Sequence, residues 1–225
     1  MKIVISVGGS ILVPGEEVNV PLLFQLKKII TKLRKQHHKI VIVAGGGYTA
    51  RKYINALRKA GVSEHYCSLA GIKATKLNAE LLALFLNANI HLPDSVTEVD
   101  QYLKHYDLVV IGALGFKPNM TSDGTAAEVA NHIRADYFIN MTNVSGLYTK
   151  DPAKHKDAKF IPKISFTDFW KIVSKIKYKA GQHFVLDQFA AKVIKKHRIK
   201  TIILQGINNL EKAIAGKPFK GTIIS

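Results

Sequence analysis

Short runs rich in β-branched residues alternate with amphipathic stretches along the chain. The first two runs are Lys2–Val7 and Lys39–Ala44, and Pro21–Gln36 lies between them with its apolar residues at helical spacing. This alternation is typical of βα units and of a mainly parallel sheet, so we predict an α/β fold. Further strands are predicted over Asp107–Ile111, Asp136–Thr142, Lys200–Gln205 and Gly221–Ser225. Helices are predicted over Thr49–Ala60, Glu64–Asn87, Asp123–Arg134, Ser165–Ser174, Asp187–Arg198 and from Asn208.

Composition excludes several other classes of protein. The chain has 225 residues, of which 47% are apolar, and one cysteine, Cys67, so neither an internal disulfide nor a four-cysteine metal site can form. Apolar runs such as Ile40–Ala44 are far shorter than the roughly 20 residues that cross a bilayer. The first residues lack the apolar segment of a signal peptide. We therefore expect a protein with no membrane partner that lies in the cytoplasm.

The charge balance is strongly basic. The chain carries 33 Lys and Arg against 16 Asp and Glu, a formal net charge of +17. Such a surface attracts polyanions, so non-specific binding of nucleic acid is one possible activity. The lysines at 171, 175, 177 and 179 have a single aromatic residue among them, Tyr178, which does not make the repeated interleaving typical of base stacking, and no zinc-finger or RNP motif is found. A solvated lysine-rich face is the simpler interpretation.

Two glycine-rich loops follow the first two predicted strands. Gly8-Gly9-Ser10 ends the first strand, and Gly45-Gly46-Gly47-Tyr48-Thr49-Ala50-Arg51 joins the second strand to a helix. Helix starts at this sheet edge offer unpaired N–H groups to phosphate, and Arg51 can reach the same anion. The second loop also satisfies G-x-G-x-x-A, a dinucleotide fingerprint, but Glu64 begins a helical stretch where that fingerprint needs a strand with an acidic end.

Two polar loops follow later strands. Lys117–Asp123 ends at a predicted helix, where Asp123 is either an ordinary N-cap or a functional carboxylate. Thr142–Pro152 is predicted as a loop whose Asn, Tyr and Asp side chains are able to contact a nucleotide. The sequence contains no G-x-x-x-x-G-K-[ST], H-R-D or D-F-G motif, and its nine histidines show no zinc spacing. Because these motifs are absent, the chain is neither a P-loop NTPase nor a protein kinase.

The order of these loops resembles that of the amino acid kinase superfamily and, within it, of the archaeal uridylate (UMP) kinases. The resemblance rests on the glycine loops, on Thr142–Pro152 and on the late segment Ala180–Lys192. It implies a three-layer α/β/α sandwich with a mainly parallel central sheet. It also implies one domain over 1–225, with an acceptor-binding part at about 1–135 and an ATP-binding part at about 136–225. A homohexamer is the implied assembly.

The resemblance further implies a transferase of pyrimidine nucleotide biosynthesis. The reaction is phosphoryl transfer from ATP to UMP with Mg²⁺, giving ADP and UDP without a covalent intermediate. Because the attacking group is already an anionic phosphate oxygen, the protein mainly has to align two polyanions and neutralise charge. The resemblance assigns no residue as a metal ligand.

Site residues are carried over from the resemblance position by position. The implied catalytic residues are Gly8, Gly9, Ser10, Asp123 and Asp187, and the two carboxylates would organise cationic groups or the metal around the transferred phosphoryl group. The implied ATP-binding residues are Gly9, Ser10, Gly47, Arg51, Thr142, Asn143, Tyr148 and Asp151. The implied UMP-binding residues are Gly46, Ser68, Phe116, Lys117, Pro118, Asn119, Met120, Thr121 and Ser122.

Three serines depart from the family pattern. Ser6 stands where many relatives have lysine, while Ser68 and Ser145 stand where aspartates are usual. We hypothesise that Lys117 supplies the missing positive charge near the phosphates. The departures also favour one alternative, a catalytically weakened nucleotide-binding protein on the same fold. Another alternative is a superfamily kinase that acts on acetylglutamate, carbamate or isopentenyl phosphate.

Overall fold

Strands and helices alternate along the computed structural model, which describes residues 1–117, 120–150, 152, 154–175 and 185–225. The strands are β1 (Lys2–Val7), β2 (Lys39–Ala44), β3 (Leu108–Ile111), β4 (Tyr137–Met141), β5 (Leu147–Tyr148), β6 (Phe160–Ile161), β7 (Lys163–Ile164), β8 (Thr201–Leu204) and β9 (Gly221–Ile224). The helices are α1 (Gly9–Leu12), α2 (Val20–Lys35), α3 (Gly47–Lys59), α4 (Glu64–Leu86), α5 (Val96–His105), α6 (Ser122–His132), α7 (Phe166–Val173), α8 (Gln188–His197) and α9 (Ile207–Ile214).

The central sheet has the strand order β3-β2-β1-β4-β8-β9-β7. Its strands run parallel except at the β8–β9 pair, which is antiparallel. Strand order reverses beside β1, since β2 and β3 lie on one side of it while β4 and β8 lie on the other. Open α/β sheets bind ligands at such a reversal, outside the carboxyl ends of the strands.

Two apolar cores lie on opposite faces of this sheet. Along β1, Ile3 and Ile5 face the core that contains α2, α4 and α9, whereas Val4 faces the core that contains α5, α6, α7 and α8. Each of these side chains is fully buried, which is worth roughly 1.5–3 kcal/mol per residue. The arrangement confirms the predicted three-layer α/β/α sandwich with a mainly parallel sheet. Within the described part of the chain, no helix is long and apolar enough to span a bilayer.

Five elements differ from the sequence predictions, and two of them, β6 and β7, are short strands that were not predicted. Helix α5 was not predicted, although Ser95 accepts from the Glu98 amide at 3.1 Å and Glu98 accepts from the Asp94 amide at 2.9 Å, a reciprocal capping arrangement. The prediction of a loop over 143–152 is wrong at β5, which pairs with β6. The Gly8-Gly9-Ser10 turn also continues into α1 rather than remaining a loop.

Candidate functional site

A cleft opens where β1, β2, β3 and β4 end. Its walls come from the segments that directly follow those strands, together with the N-terminal half of α4. The lining residues are Gly8, Gly9, Ser10, Gly45, Gly46, Gly47, Ala50, Arg51, Ile54, Ser68, Gly71, Ile72, Thr75, Ala113, Gly115, Phe116, Met120, Thr121, Ser122, Asp123, Asn140, Thr142 and Val185. The cleft thus lies beside the reversal of strand order, where a ligand site is expected.

The two glycine loops predicted separately form one structure at the base of this cleft. A Cβ atom added to Gly9 would lie 2.0 Å from the Gly47 nitrogen, and one added to Gly45 would lie 2.2 Å from the Gly9 nitrogen. Gly47 also has φ +60°, in the left-handed region that favours glycine. The backbones therefore pass each other at a distance that excludes side chains, which explains why this sequence orders three glycines in a row.

Helix α4 fixes both walls of the cleft through two polar side chains. The amide nitrogen of Asn78 donates to the carbonyls of Gly45 and Gly46 at 2.7 and 3.1 Å. The Thr75 hydroxyl accepts from the Ala113 amide at 2.8 Å, beyond the end of β3. Sequence reasoning missed these two residues. Their signal was a pair of polar residues three apart on the buried face of a helix.

Asp123 lies in the first turn of α6 and faces the cleft. The N-cap of α6 is Thr121, whose hydroxyl accepts from the Asp123 amide at 3.2 Å, so the ordinary N-cap interpretation of Asp123 is wrong. Its carboxylate instead accepts from the buried Ser6 hydroxyl at 2.7 Å. Burial and the neighbouring charge of Asp187 raise the pKa of Asp123 to about 7, while the Ser6 hydrogen bond opposes that shift. Asp123 therefore titrates near neutral pH.

Asp187 holds the segment before α6 against the start of α8. It is the N-cap of α8, where it accepts from the Ala190 amide at 2.6 Å. Its other carboxylate oxygen accepts from the amide and hydroxyl of Thr121 at 2.8 and 2.7 Å and from the Gly124 amide at 3.1 Å. Burial raises the pKa of Asp187, and these hydrogen bonds oppose the rise. Asp187 is not part of the cleft lining, its contacts position the start of α6, and its catalytic role stays a prediction.

Most of the described UMP-binding candidates line the cleft, and the part of it that Ser68, Phe116 and Met120 line is called its acceptor end here. Gly46, Ser68, Phe116, Met120, Thr121 and Ser122 all line the cleft. The Ser68 hydroxyl donates to the Glu64 carbonyl of its own helix at 2.8 Å, and the Phe116 ring lies 4.6 Å from the His65 ring. The Lys117 ammonium pairs with Glu128 and is not part of the lining, so its role near the phosphates stays a hypothesis. Pro118 and Asn119 lie outside the described residues.

The described ATP-binding candidates divide into two groups. Gly9, Ser10, Gly47, Arg51 and Thr142 line the cleft. Asn143 follows Thr142 without lining it, and the Tyr148 ring packs edge-on to Phe160 at 5.4 Å between centroids. Nucleotide contacts of Asn143 and Tyr148 stay predictions. Asp151 lies outside the described residues.

Comparison with known proteins agrees with this geometry, because residues 1–205 match the amino acid kinase family. The chain belongs to the amino acid kinase family. It is 39% identical to a uridylate kinase of Archaeoglobus fulgidus and 35% identical to one of Methanococcus aeolicus, in each case over 100% of both chains. The crystal structure of uridylate kinase from Archaeoglobus fulgidus superposes with a TM-score of 0.87 at 38% identity, covering 100% of both chains.

Within the amino acid kinase family, each of the three serine departures has a defined environment. Ser6 donates to Asp123, Ser68 bonds to its own helix, and Ser145 donates to the Gln205 side chain at 3.2 Å. The dinucleotide-binding alternative has no support, because α3 leads into α4 and not into the strand that fingerprint requires.

Proposed function

We propose that this amino acid kinase transfers the terminal phosphoryl group of ATP to UMP, giving ADP and UDP. One observation carries the proposal. One cleft is lined by the predicted acceptor residues Ser68 and Phe116, by the predicted ATP-side residues Arg51 and Thr142, and by the crossed glycine loops. Full-length identity of 35–39% to uridylate kinases of two archaea supports the same reaction.

The cleft residues act mainly by alignment and charge neutralisation. A phosphate oxygen of the acceptor is already anionic, so no protein base is needed to activate it. Backbone amides at Gly9 and Ser10 and the Ser10 hydroxyl would hold the transferring group, and the absence of Cβ atoms lets phosphate oxygens approach the chain. Arg51 lines the cleft and donates to the Pro14 carbonyl at 3.4 Å, and its guanidinium would bind the ATP phosphates. Such positioning removes much of the entropic barrier between two substrates.

Magnesium would enter bound to the ATP phosphates. Among the described residues, no three His, Cys, Asp or Glu side chains gather into a metal site. Mg²⁺ in kinases typically keeps waters and substrate phosphates as ligands, so a built protein cage is not required. Asp123 is the carboxylate of the described cleft lining, and its negative charge would orient the cations around the transferred group. When bound, the ion supplies neutralisation of phosphate charge.

The decisive experiment is ADP release from MgATP by the purified protein. UMP, CMP, dUMP, acetylglutamate and carbamate serve as acceptors, with a reaction lacking acceptor as the control. The proposal predicts turnover that depends on UMP. If no acceptor supports turnover while UMP or ATP raises the melting temperature, the protein is a nucleotide-binding protein on a kinase fold, and the proposed reaction is wrong.

We further propose that the chain assembles as a homohexamer through apolar contacts between copies. Leu77 and Leu84 are seven residues apart on α4, 61% and 65% exposed, and Phe24 on α2 packs edge-on to the neighbouring Phe85. We expect Leu84→Glu to lower the oligomeric mass seen by light scattering at unchanged helix content. Leu84→Met, which keeps the face apolar, is the matched control. Equal oligomeric masses for the two variants would mean that this face of α4 does not lie in an interface between copies.

The cytoplasmic location and the non-specific binding of nucleic acid stay predictions, as does the division into acceptor-binding and ATP-binding parts. A net charge of +17 predicts that any binding of RNA weakens steeply as salt is raised.

A further inference from the structure

Gly124 lies in the first turn of α6, directly after Asp123, and its missing side chain leaves space that Met120 occupies. A Cβ atom added at 124 would lie 2.2 Å from the Cγ atom of Met120 and 3.1 Å from its sulfur. Gly124 is buried, whereas Met120 is half-buried and lines the cleft. The Met120 side chain therefore folds back onto α6 through a space that exists because residue 124 is glycine.

The surroundings of Gly124 allow few ways to relieve a contact there. Its amide donates to Asp187, and the same carboxylate oxygen holds the amide and hydroxyl of Thr121. A Cβ atom at 124 would also meet the Phe189 ring of α8 at 3.1 Å. The backbone of α6 is thus held in place, and the nearest atom of the half-buried Phe189 ring, at 3.1 Å, is farther from the added Cβ than that of Met120, at 2.2 Å, a flexible side chain with three rotatable bonds. Met120 is the group that would move, and its open side is the cleft.

We propose that Gly124 is a positioning residue that acts through Met120 and sets the free width of the cleft at its acceptor end. With glycine at 124, Met120 lies along α6 and leaves open, for the acceptor nucleotide, space in the cleft that it lines together with Phe116 and Ser68. A side chain at 124 would turn Met120 into that space. Gly124 has no positive φ, so alanine can adopt the same backbone conformation there. The substitution therefore tests the effect of the added Cβ on Met120 without adding backbone strain. This inference rests on the proposed phosphorylation of UMP.

The kinetic test is a cycle of Gly124→Ala, Met120→Ala and the double variant. We expect Gly124→Ala to raise the KM for UMP at least tenfold while the KM for ATP stays within twofold. With Met120 shortened, alanine at 124 has no side chain to displace, so the KM for UMP of the double variant should stay within threefold of that of Met120→Ala alone. Gly15→Ala, at a glycine with no atom within 4 Å of an added Cβ, is the matched control. An unchanged KM for UMP in Gly124→Ala, or an equally large rise when Gly124→Ala is added to Met120→Ala, would overturn the proposal.

A second readout does not depend on turnover. The chain has three methionines, at positions 1, 120 and 141, so ¹³C-methyl labelling gives a spectrum in which Met120→Ala assigns the Met120 signal. We expect Gly124→Ala to shift that signal and leave the Met1 signal in place, without any nucleotide present. A Met120 signal that Gly124→Ala does not move would refute the packing itself. Absence of UMP turnover in the wild type, with the shift observed, would instead refute the proposed reaction and keep the packing.

Discussion

Gly45→Ala is expected to lower the melting temperature by about 6–12 °C and to reduce kcat/KM at least 100-fold. The added Cβ would lie 2.2 Å from the nitrogen and 2.9 Å from the Cα of Gly9. Both are backbone atoms, and the sheet fixes Gly45 because its amide donates to the Val7 carbonyl at 2.9 Å. Overpacking at a site that cannot yield costs about 3 kcal/mol, which is the source of the expected temperature change. Thermal unfolding and steady-state kinetics measure the two effects.

Gly15→Ala is the matched control for this prediction. Gly15 has no atom within 4 Å of an added Cβ and no positive φ. Alanine there should leave activity unchanged and leave the melting temperature equal to or slightly above that of the wild type, because alanine restricts the unfolded chain. If both variants behaved alike, the close crossing of the two glycine loops would be wrong.

Six of the seven strands of the central sheet, all but β7, were predictable from sequence because they are largely buried and read as short apolar runs. β1, β2 and β8 fall within one residue of the predicted bounds at each end. Helix α5 was not predicted, because it has few apolar residues and only Val99 and Leu103 among them are buried. Its start depends on the capping pair of Ser95 and Glu98. Strand β5 was not predicted, because two residues are too few to show the alternation of apolar and polar residues that indicates a strand. Its extended conformation depends on pairing with β6.

The cleft was predictable only in outline. Parallel strands place their carboxyl ends at one edge, which brings the loops after β1 and β2 together. The contacts that define the chemistry join residues far apart in sequence, such as Ser6 with Asp123 and Asn78 with Gly45. No local pattern encodes these pairs, because they depend on how α4 and α6 pack on the sheet. The same packing gives Asp187 its hydrogen bonds to Thr121 and Gly124 at the start of α6, and its catalytic role stays a prediction.

Asp123→Asn is expected to abolish most activity and, above neutral pH, to stabilise the fold. Asparagine removes the negative charge that would orient cations in the cleft, and we expect kcat/KM to fall at least 100-fold. In the wild type, the pKa of Asp123 is raised from 3.8 to about 7. The carboxylate form is therefore complete only above that pH, so kcat/KM of the wild type should rise with pH through about 7. Steady-state kinetics from pH 5 to pH 9 give this profile.

The sign of the stability effect follows from the same shift. Between pH 3.8 and about 7 the folded chain holds a proton at Asp123 that the unfolded chain has lost, so wild-type stability falls as pH rises through this window. At about 1.4 kcal/mol per pKa unit, the advantage of Asp123→Asn should grow by about 3 kcal/mol between pH 5 and pH 8. Asp168→Asn, at an exposed carboxylate paired with Lys171, is the control and should show no such growth. A constant difference between the asparagine variant and the wild type across this range would mean that Asp123 is ionised throughout, and that its charge is compensated by groups other than Ser6.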